Sequence, residues 1–193
     1  MTWDPAPLSE VVALFSAVRV PWWIAGGHAI ELAVGRPVRE HADVDVLVLR
    51  RDQLAVQEAL RPWEWWAADP PGTLRPWRAG ELLPEGVDDI WCRPAAAGPW
   101  RIQVMLDEAE GDEWVSRRNP AVRRAVTGLG DVSADGIPYL APEVQLFAKA
   151  RGTRPKDERD FAAALPVLGA SRRQWLADAL RTAFGEHPWL ARL

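Results

Sequence analysis

The sequence predicts an α/β (α+β) fold in which a mixed sheet with flanking helices is followed by a C-terminal helical lobe. Three observations carry this: the alternating run "DVDVLVL" at 43–49, the strand, glycine pair and helix pattern of "PWWIAGGHAIELAVG" at 21–35, and helical texture from about residue 119 onward. The lobes are expected at 1–118 and 119–193, and a chain of 193 residues has enough length to bury a sizeable core.

In chain order, "LSEVVALFSAV" (8–18) sets Leu8, Val11, Val12, Phe15 and Val18 on one helical face, with Ser9 as a start signal. "PWWIAGG" reads as a short buried strand closed by glycines, and "HAIELAVG" as a two-turn helix that Gly35 can terminate. "DVDVLVL" is a strand by its β-branched content, and "DQLAVQEAL" (52–60) a helix. Residues 61–86 are dense in Pro, Gly and Trp without a clean period, which predicts an irregular excursion or hairpin. Two further strands, "DDIWCR" (88–93) and "WRIQVMLDE" (100–108), are joined by the turn "PAAAGP". Helices are then expected at "NPAVRRAV", "APEVQLFAKA", "PKDERDFAAALPVL" and "SRRQWLADALRTAFG". Pro142 and Pro155 suit first helical positions, Ser171 with Gln174 reads as a capping box, and Gly185 as a helix end.

Composition argues against several functional classes. A net charge of −4 lacks the basic footprint of nucleic-acid binding, so a polynucleotide partner is not expected. One cysteine, Cys92, and no apolar run of membrane-spanning length predict a cytoplasmic protein without membrane partners. Three histidines and one cysteine offer no zinc spacing, so any metal is expected on oxygen ligands. Of the 12 tryptophans, Trp63, Trp65, Trp66 and Trp77 crowd the irregular segment; most are expected to cover the sheet or a homodimer contact.

The chemistry-bearing residues are Asp43 and Asp45. Successive strand residues point to opposite faces, so these two acids project together while Val44 and Val46 face the core. Two carboxylates on one face repel unless a cation lies between them, and magnesium accepts one or two carboxylates together with substrate phosphates. Gly26 and Gly27, between a strand and a helix, allow backbone amides to approach a phosphate.

The Gly-Gly turn followed by a D-x-D strand resembles the nucleotidyltransferase superfamily, and Gly26-Gly27-His28, Gly35-Arg36 and Arg39-x-His41-x-Asp43-x-Asp45 resemble more closely the "GGW…GR-x-T-R-x-H-x-D-I-D" signature of the aminoglycoside nucleotidyltransferases, the group of the 2″-adenylyltransferases and related lincosamide enzymes. His28 stands where Trp is usual and Val38 where Thr is usual. "PEVQLFAKARGTRPKDERDF" (142–161) resembles the family's "PE-x-Q-L-x-x-K…R-x-K-D-x-x-D-F".

The resemblance implies transfer of a nucleotidyl group, AMP from ATP, to a hydroxyl of a small acceptor such as an aminoglycoside-like antibiotic. Mg2+ would be held by Asp43 and Asp45, and nucleotide contacts would come from Gly26, Gly27, His28, Arg39, Lys149 and Lys156. It also implies a third carboxylate on the strand at 100–108, where Gln103 stands mid-strand; Asp107 is the nearest acid of the same parity, with Asp89 on the preceding strand as a second candidate. For Lys149 a helix-end charge is the alternative role, and Asp160 reads as structural, paired with an arginine. The acids Asp88, Asp89, Glu108, Glu110, Asp112 and Glu113 would suit a polycationic acceptor. Two other readings stay open: a nucleotidyltransferase of the toxin–antitoxin kind acting on protein or RNA, and an inactive homologue that binds a nucleotide or small molecule.

Overall fold

The computed structural model describes residues 2–193, which pack as two compact units. One comprises residues 2–24 and 41–108, the other 25–40 and 109–193. The sequence boundary near 118 follows texture along the chain; the packing instead groups a short early segment with the C-terminal portion. Among the described residues no helix is long and apolar enough to cross a membrane.

In the first unit, β1 (Trp22–Ile24), β2 (Asp45–Leu49), β3 (Glu64–Ala68), β4 (Leu74–Pro76), β5 (Asp89–Arg93) and β6 (Ile102–Glu110) form a mixed sheet in the order β4-β3-β5-β6-β2-β1. β2 and β6 run parallel; the other neighbours are antiparallel. The Pro- and Trp-rich segment forms the β3–β4 hairpin. One sheet face is apolar because every second residue is: Val46, Val48, Ile90, Cys92, Ile102, Val104 and Leu106 are buried, as are Val11 and Phe15 of α1 (Leu8–Phe15). That helix begins at Leu8 after Pro7, one residue before the expected Ser9 start. Burial pushes the Cys92 thiol well up, which makes it an inert core residue.

The opposite face carries tryptophans. Trp91 meets Trp3 and Trp100 at ring separations of 4.9 and 5.6 Å, and the Arg93 guanidinium lies 4.5 Å from the Trp100 ring while pairing with Glu64. On the apolar face, where it lies opposite Cys92, Trp65 is buried edge to face with Trp77. Sheet cover is therefore what these rings supply.

Arg50, directly after β2, is buried and holds the carboxylates of Asp88 and Glu108 together with the carbonyls of Pro84 and Val87. A guanidinium presents five donors in a fixed fork, so one side chain fastens the entry to β5 and the far part of β6 to the end of β2.

The second unit contains α2 (Gly26–Val34), β7 (Glu113–Val115), β8 (Arg123–Ala125), β9 (Gly130–Val132), β10 (Pro138–Leu140), α4 (Pro142–Lys149), α5 (Pro155–Ala164) and α6 (Ala170–Phe184); α3 (Gln53–Ala59) belongs to the first unit. α2 packs on α4 and α5, and α4 on α6. The helix expected at 119–126 is instead β8, paired antiparallel with β7. The Asn119 carboxamide oxygen accepts from the Ala121 amide and its carbonyl accepts from Val122, a turn that competes with helix formation. Pro142 and Pro155 open α4 and α5 as expected, whereas α6 starts after Gly169 with no side-chain cap, and Gln174 reaches Asp178 rather than closing a capping box.

Gly35 ends α2 in the left-handed region at φ 75°, its amide donating to the Glu31 carbonyl at 2.8 Å. An added Cβ would meet nothing within 4 Å. Gly35→Ala is therefore expected to cost backbone strain alone, about 1–2 kcal/mol, read as a reduced midpoint in urea unfolding.

Candidate active site

The carboxylate pair begins β2. The strand starts at Asp45, two residues later than expected, but the Gln103 amide donates to the Val44 carbonyl at 2.9 Å, so pairing continues one residue earlier. Val44 and Val46 are fully buried while Asp43 and Asp45 are half-buried, the alternation that sets both acids on the open side. Antiparallel pairing of β1 with β2 puts Ile24 opposite Val46, so the chain leaves β1 level with the start of the acidic strand.

Cross-strand register fixes what lies beside Asp45. Residues directly opposite share a face, and the row across four strands reads Asp45, Gln103, Trp91, Trp66. Gln103 Nε2 donates to Asp89 Oδ1 at 3.1 Å. Asp107, by contrast, pairs with Leu49, four residues along the strand and so ~13 Å from the level of Asp45, and it is buried. Its parity is that of Gln103, but its level is not that of Asp45. The carboxylate that the geometry brings to Gln103 is Asp89.

Of the other acids singled out for a polycationic acceptor, Asp88 and Glu108 are engaged by Arg50, and Glu110 and Glu113 by Arg123. These acids neutralise arginines of the protein itself.

In the second unit the glycine pair opens α2, with Gly26 at φ 66° and its amide donating to Gln145 Oε1 at 2.8 Å in a buried bond. The Gly26 amide, expected to meet phosphate, is thus committed to the protein; Gly27 and His28 follow it in the first turn of α2. His28 lies 3.7 Å from Glu31, whose other carboxylate oxygen accepts from the amides of Val38 and Arg39. Gln145 is buried between Val144 and Leu146 in α4, and its role emerges only from this long-range bond. Gln145→Leu is expected to strand the buried Gly26 donor and cost about 1–3 kcal/mol, measured by chemical denaturation.

Arg39 and Lys149, expected at the nucleotide, meet on one carboxylate. Arg39 donates to both oxygens of Asp160 at 2.9 and 3.0 Å, and Lys149 Nζ lies 2.9 Å from Asp160 and 3.6 Å from Asp157. Asp160 and Asp157 are fully buried and Lys149 is buried beside them. Arg39 is the arginine that Asp160 was expected to pair with. Asp157 also caps α5, accepting from the Arg154 amide and guanidinium. Burial alone would raise its pKa, but the Arg154 hydrogen bonds and the Lys149 charge outweigh this and hold it below the ordinary carboxylate value. Its stabilising contribution is accordingly present above the unfolded carboxylate pKa and is lost as pH falls through the lowered folded value. Lys156, half-buried on the first turn of α5, has no ion pair among the described residues.

A mixed sheet with an acidic rim at the start of β2 is the architecture of the nucleotidyltransferases. The comparisons are specific within that class. The model of the aminoglycoside-2''-adenylyltransferase family matches residues 7–163, and the chain belongs to that family.

Solved structures share the fold at low identity. The crystal structure of ANT(2'')-Ia in complex with adenylyl-2''-tobramycin is 13% identical at a TM-score of 0.57, with 89% of this chain and 94% of that chain covered. The lincomycin-bound lincosamide antibiotic adenylyltransferase LnuA is 15% identical at 0.57, over 86% and 100%. An antigenic nucleotidyltransferase-like protein from Paracoccidioides brasiliensis is 15% identical at 0.50, over 96% and 88%. A search of curated proteins by sequence gives no match.

Proposed function

We propose that this nucleotidyltransferase is magnesium-dependent and moves AMP from ATP to a hydroxyl of a small antibiotic acceptor, of the aminoglycoside or lincosamide kind, with release of pyrophosphate. The observation that carries the reading is the pair Asp43 and Asp45, half-buried on the open side of a strand whose intervening valines are sealed in the core. Membership of an adenylyltransferase family supports it. So do the structural relatives, one bound to an adenylylated tobramycin and one to lincomycin.

The donor set fits magnesium. Both acids offer hard carboxylate oxygens, partly open to water, the combination that suits an ion which keeps several waters and takes the rest of its shell from phosphates. Bound there, the ion would neutralise triphosphate charge. Asp43 and Asp45 would hold it. Arg39 and Lys149 are assigned to fixing α5 through Asp160. Most of the rate enhancement would come from positioning and electrostatics, as in phosphoryl-type transfers generally.

The test is pyrophosphate release from Mg-ATP with a panel of aminoglycosides and lincosamides, each product checked for an added adenylyl group by mass. An adenylylated antibiotic is the expected result. Label passing only to protein or RNA would replace this acceptor class with a macromolecular one, and nucleotide binding without transfer to any acceptor would show an inactive homologue.

A further inference from the structure

Transfer to a hydroxyl requires that the oxygen lose its proton as it bonds to phosphorus, so a base must stand beside the acceptor. Asp43 and Asp45 are assigned to the metal, where a carboxylate's lone pairs are engaged. On the same sheet face Glu64 is paired with Arg93, and Asp107 lies ~13 Å along the strand from the level of Asp45. Asp89 remains. It sits opposite Met105, one step of the same-face ladder beyond the Gln103–Trp91 pair, two strands from Asp45.

With strands ~4.8 Å apart and ~3.4 Å per residue, Asp45 and Asp89 stand on the two strands that flank β6, roughly 10 Å apart across the sheet and about 7 Å along it. Gln103 lies between them, directly opposite Asp45, and its amide donates to Asp89 Oδ1. A neutral amide cannot take a proton itself, but it can hold a carboxylate in one orientation while leaving the second oxygen for another partner.

We propose that Asp89 accepts the proton of the attacking acceptor hydroxyl, and that Gln103 is the residue positioning it. This rests on the adenylyl-transfer reading above. In the step, the acceptor oxygen forms the bond to the α-phosphorus, its proton passes to the Asp89 carboxylate, and the bond from that phosphorus to the bridging oxygen breaks, its electrons leaving with pyrophosphate.

The experiment compares wild type, Asp89→Asn, Asp89→Glu, Gln103→Ala, Asp107→Asn and the Asp89→Asn/Gln103→Ala double variant. It reads kcat with an acceptor that the wild type uses and, separately, the affinity for a magnesium complex of nonhydrolysable ATP by calorimetry. Asp89→Asn is expected to lower kcat by about 10²–10⁴-fold while nucleotide affinity stays close to wild type, since general-base contributions have that size. Gln103→Ala should lower kcat less, and the double variant should be no slower than Asp89→Asn, because a residue acting through another has nothing to add once that other is gone. Asp89→Glu, which keeps the carboxylate, should recover part of the rate, and Asp107→Asn should leave it unchanged.

The assignment is overturned by wild-type turnover in Asp89→Asn, by a loss confined to Asp107→Asn, by additive losses in the double variant, or by nucleotide affinity falling in step with kcat. Wild-type protein that binds the nucleotide but transfers to no acceptor would overturn the adenylyl-transfer reading itself and the base along with it.

Discussion

Asp45→Asn is expected to lower adenylyl transfer by about 10³-fold, the scale of removing one electrostatic contact made at the transition state. The change is isosteric and subtracts a formal charge from a half-buried position, and an amide is a far weaker magnesium ligand than a carboxylate. Val44 and Val46, which anchor this stretch, are untouched and fully buried, so the circular dichroism spectrum and thermal midpoint should survive. Asp43→Asn should behave alike. Pyrophosphate release by the purified variants, followed across magnesium concentrations, is the measurement; turnover equal to wild type in either would remove these acids from the mechanism.

The second large effect falls on stability. Asp160 is fully buried and answers two cations, bidentately for Arg39 and at 2.9 Å for Lys149. Asp160→Asn leaves both without that charge in a poorly solvated place, and breaking a buried pair in this way costs about 3–5 kcal/mol. For a chain of this size the thermal midpoint should fall by about 10–15 °C. Differential scanning calorimetry reads it directly. A midpoint within a degree or two of wild type would mean that Asp157 alone suffices for Lys149 and would return Arg39 to the list of residues available for a ligand.

How much of this was legible in the sequence depended on the range of the interaction. Strand β2 was legible because alternation of Asp and Val is a local signal with one physical solution, acids outward and valines inward. The end of α2 was legible because Gly35 is a local backbone requirement.

Register is not local. Strand parity correctly grouped Gln103 with Asp107, yet the level of each against Asp45 is set by how β5 and β6 slide along their neighbours, which Arg50 fixes through contacts 33 to 58 residues away. The same limit applied to charge. Arg39 and Lys149 sit in motifs that read as phosphate-binding; an arginine partner for Asp160 is legible, but that it is Arg39, 121 residues away, and that Lys149 shares the same carboxylate is set by the fold. The strand at 123–125 is hidden for a related reason: "NPAVRRAV" carries helix-compatible residues, and the pairing with β7 that overrides them is tertiary.

The chain passes between its two compact units three times, after residues 24, 40 and 108. Helix α2, early in the sequence, packs on α4 and α5, which are made more than a hundred residues later. A nascent chain that has emerged only to residue 108 therefore holds a complete set of sheet strands β1 to β5 and most of β6, but a helix with no surface to lie on. The glycine turn can take its native shape only after Gln145 has been synthesised, because that side chain accepts the Gly26 amide. The acidic strand can be built early during synthesis, whereas the helix preceding it must wait until α4 and α5 have been made.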